Sequence, residues 1–150
     1  MRDVARRRIA ALLLVAGIAV AALAIADVGP FEDPPTESER VTDAVEEFFT
    51  VAERGDSKAF CAMLTAPARD ELRIDTAQRL QVNELPKCEK ILDLFAAAFE
   101  GSQFTVRSVN VSGNQARVEG RYQLRDERPE PRTVLLAEED GEWRISDPDY

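Results

Sequence analysis

Residues 104–124 decide the fold class and read FTVRSVNVSGNQARVEGRYQL. Phe104 and Val106 alternate with polar residues, and the parity then slips before Val109, as it does at a β-bulge. A tight turn follows at residues 112–114, which read SGN. Alternate residues of the next segment form one largely apolar face: Ala116, Val118, Gly120, Tyr122 and Leu124. The pattern predicts a β-hairpin with one buried face and one solvated face.

Two further strands are predicted near the end of the chain. They cover 133–137 and 143–145, are joined at Asp140-Gly141, and follow a polar connection at 125–131. Helical patterns precede all of these strands. This segregation predicts an α+β domain in which helices cover one face of a curved antiparallel sheet.

Three helices are predicted before the sheet. The first begins at a capping box formed by Thr36 and Glu39 and ends at Gly55. Its apolar residues recur at helical spacing: Val41, Ala44, Val45, Phe48, Phe49 and Ala52. Asp56 caps a second, short helix, so the two form a helical hairpin. The third helix runs from Pro86 towards Gly101, and its apolar face holds Cys88, Ile91, Leu92, Phe95 and Phe99.

The segment between the second and third helices is less regular in sequence. Residues 65–81 read TAPARDELRIDTAQRLQ, in which Leu72, Ile74 and Leu80 are scattered among polar residues. Either a short helix or an irregular segment fits this pattern.

The N-terminal 26 residues have the pattern of an export signal. Residues 9–26 carry no charge, and four arginines at positions 2, 6, 7 and 8 precede them. Either a cleaved signal peptide or a membrane anchor fits, because Ala24-Ile25-Ala26 is a small-x-small cleavage site while the apolar tract is long for a signal. Both outcomes place the rest of the chain outside the cytoplasm. Residues 27–35 (DVGPFEDPP) are then a proline-rich tether, and 36–150 form the domain.

Composition narrows the function. The chain of 150 residues contains no histidine, which excludes imidazole bases and argues against the common zinc sites. Its formal net charge of -9 disfavours a nucleic-acid partner. The acidic clusters lack the spacing of calcium loops, and Gly113 and Gly141 are turn glycines that belong to no phosphate-binding loop. We therefore expect no metal and no cofactor.

The two cysteines are predicted to form a disulfide. Cys61 and Cys88 both lie on apolar helix faces, and an exported domain meets an oxidising environment. Two separately buried thiols are the alternative, while a metal pair would lack further cysteine or histidine ligands.

The segments VTDAVEEFFTVAERGD (41–56), KAFCAMLTAPARDEL (58–72), CEKILDLF (88–95) and DGEWRISDP (140–148) together resemble the nuclear transport factor 2-like superfamily, also called cystatin-like, which includes polyketide cyclases. They are most similar to small exported bacterial envelope members. The resemblance implies a cone in which three helices pack on a bent sheet, with an apolar pocket at the open end. Four aromatic residues are candidates to line that pocket: Phe48, Phe49, Tyr122 and Trp143.

Catalytic members of that superfamily place Asp, Tyr, His or Arg in the pocket. Here the inward face of the first helix is apolar, and Asp43 points to solvent. Tyr122 is the only ionisable candidate on the apolar strand face, and we expect it to bond a backbone carbonyl, with Trp143 in the core. The sequence therefore predicts a non-catalytic envelope domain that binds a protein partner or a small apolar ligand. An isomerase, dehydratase or cyclase using the cone pocket is the alternative, and a homodimer through the open sheet face is a third possibility.

Overall fold

The structure is a computed structural model that describes residues 34–125 and 127–147. Four helices precede four strands in this part of the chain. The helices are α1 (Glu37–Arg54), α2 (Ser57–Ala62), α3 (Ala66–Leu80) and α4 (Cys88–Phe99). The strands are β1 (Ser102–Ser112), β2 (Gln115–Leu124), β3 (Glu130–Glu139) and β4 (Glu142–Asp147). The predicted order of helices first and sheet last is confirmed.

The predicted signal or anchor segment, residues 1–26, lies outside the described residues, as does most of the predicted tether. In the part of the chain that the structure describes, no helix is long and apolar enough to cross a bilayer.

Helix α1 begins and ends where its capping residues predict. The Thr36 backbone N–H donates to Glu39 Oε2 at 2.7 Å, and the Glu39 N–H donates back to Thr36 Oγ1 at 3.3 Å. Gly55 ends the helix in the left-handed conformation, at φ 69°. One face is buried against the sheet and the other helices, and it holds Val41, Val45, Phe48, Phe49, Val51 and Ala52.

Residues 66–80 form an additional helix, so the described part of the domain has four helices before the sheet and not the predicted three. The segment forms a full helix of 15 residues, capped by the Thr65 hydroxyl, which accepts from the Ala68 N–H at 3.3 Å. It buries only three residues, Ala68, Thr76 and Ala77. Because all three are small, the helix has no strong apolar stripe, and its sequence resembles that of an irregular segment.

The predicted disulfide is confirmed. Cys61 in α2 is bonded to Cys88, the first residue of α4, and their Cα atoms are 6.0 Å apart. Both cysteines are buried. The alternative, two separately buried thiols, is therefore wrong, and the bond fixes α4 beside α2.

The sheet is antiparallel, with its strands in the order β1-β2-β3-β4. Its register shifts between Val106 and Ser108, which confirms the predicted bulge. Gly120 lies opposite Val106, and a Cβ atom added there would sit 2.3 Å from Cζ of Phe104. Only glycine therefore lets the Phe104 ring lie across β2 at the bend.

A short parallel contact joins the end of α2 to β4. The Ile145 N–H donates to the Met63 carbonyl at 2.8 Å, and the Thr65 N–H donates to the Ile145 carbonyl at 2.9 Å. Since Thr65 is the N-cap of α3, these two bonds place the start of α3 next to β4.

Candidate functional site

A cavity of about 620 Å³ lies between the helices and the ends of β2 and β4. Its walls come from α2, α3, α4, β2 and β4. The lining residues are Phe60, Glu71, Leu72, Asp75, Thr76, Arg79, Ile91, Leu92, Phe95, Phe99, Tyr122, Leu124 and Asp147. Its volume is in the range of sites that hold small molecules.

The floor of the cavity is apolar and rigidly positioned. Phe60 of α2 and Ile91, Leu92 and Phe99 of α4 are all buried. The Phe60 and Phe99 rings are in contact, with centroids 6.3 Å apart. The disulfide joins the same two helices. The covalent bond and the ring contact therefore both hold α2 against α4, the two helices that form the floor.

The rim of the cavity is polar. Glu71, Asp75 and Arg79 follow one another at spacings of four residues along α3, and therefore share one helix face. Asp147 reaches the same rim from the end of β4, beside which the Met63–Thr65 contact places α3. Glu71, Asp75 and Arg79 are exposed, and Asp147 is half-buried.

Two hydroxyl groups in the walls lack a hydrogen-bond partner among the described residues. Thr76 is 3% exposed, yet its hydroxyl bonds no described residue. The threonines of α1 behave differently, since Thr42 and Thr50 each donate to the carbonyl four residues earlier at 2.8 Å. The half-buried Tyr122 hydroxyl likewise bonds no described residue, so the expected bond to a backbone carbonyl is not present there.

Of the four predicted pocket residues, Tyr122 lines the cavity and the other three lie in the hydrophobic core. The Phe48 ring stacks on Phe60, with centroids 4.9 Å apart. The Phe49 ring lies 4.7 Å from Phe104 and 5.8 Å from Tyr122.

Trp143 takes the core position that the sequence favoured, and its indole Nε1–H donates to Glu37 Oε2 at 3.1 Å. This hydrogen bond, followed by one from Arg40, lowers the pKa of the Glu37 carboxyl. The contact ties the start of α1 to β4, outside the cavity.

The carboxylates of the rim were missed by sequence reasoning. Glu71 and Asp75 lie in the segment whose weak apolar pattern left its conformation open, and Asp147 lies near the end of the chain. If this segment is assumed to be helical, the spacing of four residues places Glu71 and Asp75 on one helix face, which could have indicated the rim. The approach of β4 to α3 depends on the parallel contact at Leu64 and Ile145, which no local pattern indicates.

The chemistry available in the cavity is recognition of an apolar body with a polar end. Within residues 34–125 and 127–147, no three His, Cys, Asp or Glu side chains are placed to hold a metal ion together. A carboxylate base for proton abstraction is ordinarily desolvated to match its task. Glu71 and Asp75 are exposed instead.

Comparison with known proteins gives matches among solved structures only. No family profile matches the chain, and no curated protein matches it. One similar structure is a nuclear transport factor 2-like protein from Campylobacter jejuni for which transpeptidase activity is suggested; it is 15% identical, with a TM-score of 0.46, over 70% of this chain and 95% of that one.

A second similar structure is a nuclear transport factor 2-like protein of unknown function from Cytophaga hutchinsonii, 12% identical, with a TM-score of 0.43, over 77% of this chain and 91% of that one. A de novo designed protein of the same fold is 19% identical, with a TM-score of 0.46, over 78% of this chain and 92% of that one. All three are named as members or designs of the superfamily that the sequence resembles. At these levels of identity the likeness concerns the fold alone.

Proposed function

We propose that this chain is a non-catalytic, extracytoplasmic binding domain whose cavity holds a small ligand with an apolar body. The observation that carries the proposal is the cavity of about 620 Å³, with its floor of buried apolar and aromatic side chains and its polar rim. Binding sites for small molecules are concave, mostly apolar, and marked by a few polar groups that orient the ligand.

Binding is favoured over catalysis by the placement of the polar groups. Glu71 and Asp75 are exposed on the rim and Asp147 is half-buried there, and none of the three lies on the apolar floor. An isomerase or dehydratase would need a base beside the reacting carbon, where the floor offers only Phe, Ile and Leu side chains. The Tyr122 hydroxyl can donate to a ligand but supplies no base.

The extracytoplasmic location rests on two independent features. The first is the Cys61–Cys88 disulfide, since disulfides persist in oxidising compartments. The second is the apolar segment at 9–26, which follows four arginines and has the pattern of an export signal. A periplasmic reporter fused after Tyr150 should be active. The mass of the mature chain then distinguishes a cleaved form beginning at Asp27 from an anchored form, and an inactive reporter would contradict export.

The cavity is tested with a neutral fluorescent probe, N-phenyl-1-naphthylamine. The full chain is placed in lipid nanodiscs, and empty nanodiscs supply the blank. Leu72→Trp fills the cavity from its α3 wall, because Leu72 is half-buried and lines it. The matched control is Leu94→Trp on α4, where the side chain is 58% exposed and does not line the cavity.

The wild-type chain should bind the probe, and Leu94→Trp should bind it within about twofold of wild type. Leu72→Trp should weaken binding by about tenfold or more, since a filled site no longer accommodates the ring system. Circular dichroism checks that both variants fold. Absence of binding by the wild type, or equal binding by the two variants, would overturn the proposal.

A further inference from the structure

The α3 side of the cavity rim carries more negative than positive groups. Among the described residues of α3 that line it, Glu71 and Asp75 are acidic and Arg79 is basic. Neither Glu71 nor Asp75 forms an ion pair or a hydrogen bond with any described residue. Two acids at positions i and i+4 repel each other and weaken an isolated helix. Arg79, four residues after Asp75, offsets part of this repulsion, and a positively charged ligand beside Glu71 would relieve more of it.

A buried threonine of α3 also lines the cavity. Thr76 follows Asp75 in α3, lines the cavity and is 3% exposed. Its hydroxyl lacks the bond to the preceding turn that Thr42 and Thr50 make in α1, and no other described residue supplies a partner. Because Thr76 lines the cavity, its hydroxyl can bond a ligand atom or a ligand-held water, and this bond would stabilise the complex.

Aromatic faces complete the environment. Phe60, Phe95, Phe99 and Tyr122 all line the cavity. Aromatic rings attract organic cations through the negative potential of their faces, and they favour alkylammonium groups in particular. Since no three ligating side chains of the described region converge, the rim suits a diffuse organic cation and not a metal ion.

We infer that the cavity selects ligands in which an apolar body carries an organic cation of the alkylammonium class. This inference rests on the proposed binding function, and it adds the charge of the ligand. The tail lies on Leu92 and Phe99, and the cationic group lies between the aromatic rings and the acids of α3. A ligand with a carboxylate in the same place would be repelled by the carboxylates of Glu71 and Asp75 and should bind more weakly.

The test compares three eight-carbon compounds as competitors of the bound N-phenyl-1-naphthylamine, again with the full chain in nanodiscs and empty nanodiscs as the blank. They are octyltrimethylammonium, 1-octanol and octanoate. The cation should displace the probe at a concentration about five- to tenfold lower than the alcohol does, and octanoate should be the weakest. The preference should shrink in 0.5 M NaCl, because the rim acids are exposed to solvent.

Two double variants locate the source of the preference. Glu71→Gln with Asp75→Asn removes the rim charges and should bring the cation to within about twofold of the alcohol, while 1-octanol binds as before. The control is Glu46→Gln with Glu53→Gln, which removes the same charge from exposed positions of α1, an element that contributes nothing to the cavity wall. This control should keep the preference.

Equal displacement by the cation and the alcohol overturns this inference and leaves the proposed function standing. Loss of the preference in both double variants also overturns it, since the effect would then come from the total charge of the domain. Failure of all three compounds, together with absence of probe binding, refutes the proposed function itself.

Discussion

Breaking the disulfide should destabilise the domain strongly and distort the cavity. Cys61 and Cys88 close a loop with a sequence separation of 27, for which the chain-entropy relation gives about 3.5 kcal/mol of stabilisation. For a domain of this size, such a loss lowers the melting temperature by about 10–15 °C. Because Cys88 begins the helix that supplies Ile91, Leu92, Phe95 and Phe99 to the cavity, probe affinity should fall as well.

The assay is thermal unfolding of the full chain, followed by circular dichroism, with and without a reducing agent. Reduction should lower the midpoint of the wild type and leave that of a Cys61→Ala, Cys88→Ala double variant unchanged. Alanine is chosen because both positions are buried and a serine hydroxyl would add a desolvation cost. A shift of less than about 2 °C, with both thiols shown to be free, would refute the stabilising role of the bond.

Three further perturbations test the parts of the fold that position the site. Gly120→Ala should cost about 2 kcal/mol in urea denaturation, because its Cβ would lie 2.3 Å from the Phe104 ring; an unchanged midpoint would contradict this packing. Thr65→Ala should cost about 1 kcal/mol by removing the N-cap of α3, whereas an unaltered stability would show that the cap contributes nothing. The lowered pKa of Glu37 means that its bonds with Trp143 and Arg40 stabilise the fold above the ordinary value of 4.5, and that this contribution is lost as the pH falls through the folded-state pKa. Glu37→Gln should therefore flatten the acid limb of the stability profile, and parallel profiles for the two proteins would contradict the assignment.

The sequence predicts those parts of the fold that depend on local patterns. The capping box at Thr36 and Glu39, the slip in alternation near Ser108 and the turn at residues 112–114 each reflect interactions between near neighbours. The pairing of Cys61 with Cys88 could be predicted because the chain holds only these two cysteines and both fall on apolar faces.

The parts that could not be predicted depend on contacts between distant segments. Helix α3 buries Ala68 and Ala77 and few large side chains, so its hydrophobic periodicity is weak although its residues favour a helix. The rim depends on the meeting of α3 with Asp147, which requires the hydrogen bonds between Met63, Thr65 and Ile145. The aromatic residues Phe48 and Phe49 were expected at a pocket, but they pack against Phe60 and Phe104 in the core, where their apolar area is buried.

The central claim is that the cavity between α3, α4 and the sheet ends holds a ligand with an apolar body. Photolabelling of the full chain with an octanol derivative that carries a diazirine on its alkyl chain, followed by peptide mass spectrometry, locates the ligand directly. Label should appear in the peptides that contain residues 66–80 and 88–99, and excess 1-octanol should suppress it. Label spread over the outer face of the sheet, or label in α3 and α4 that excess octanol leaves unchanged, would contradict a ligand site in this cavity.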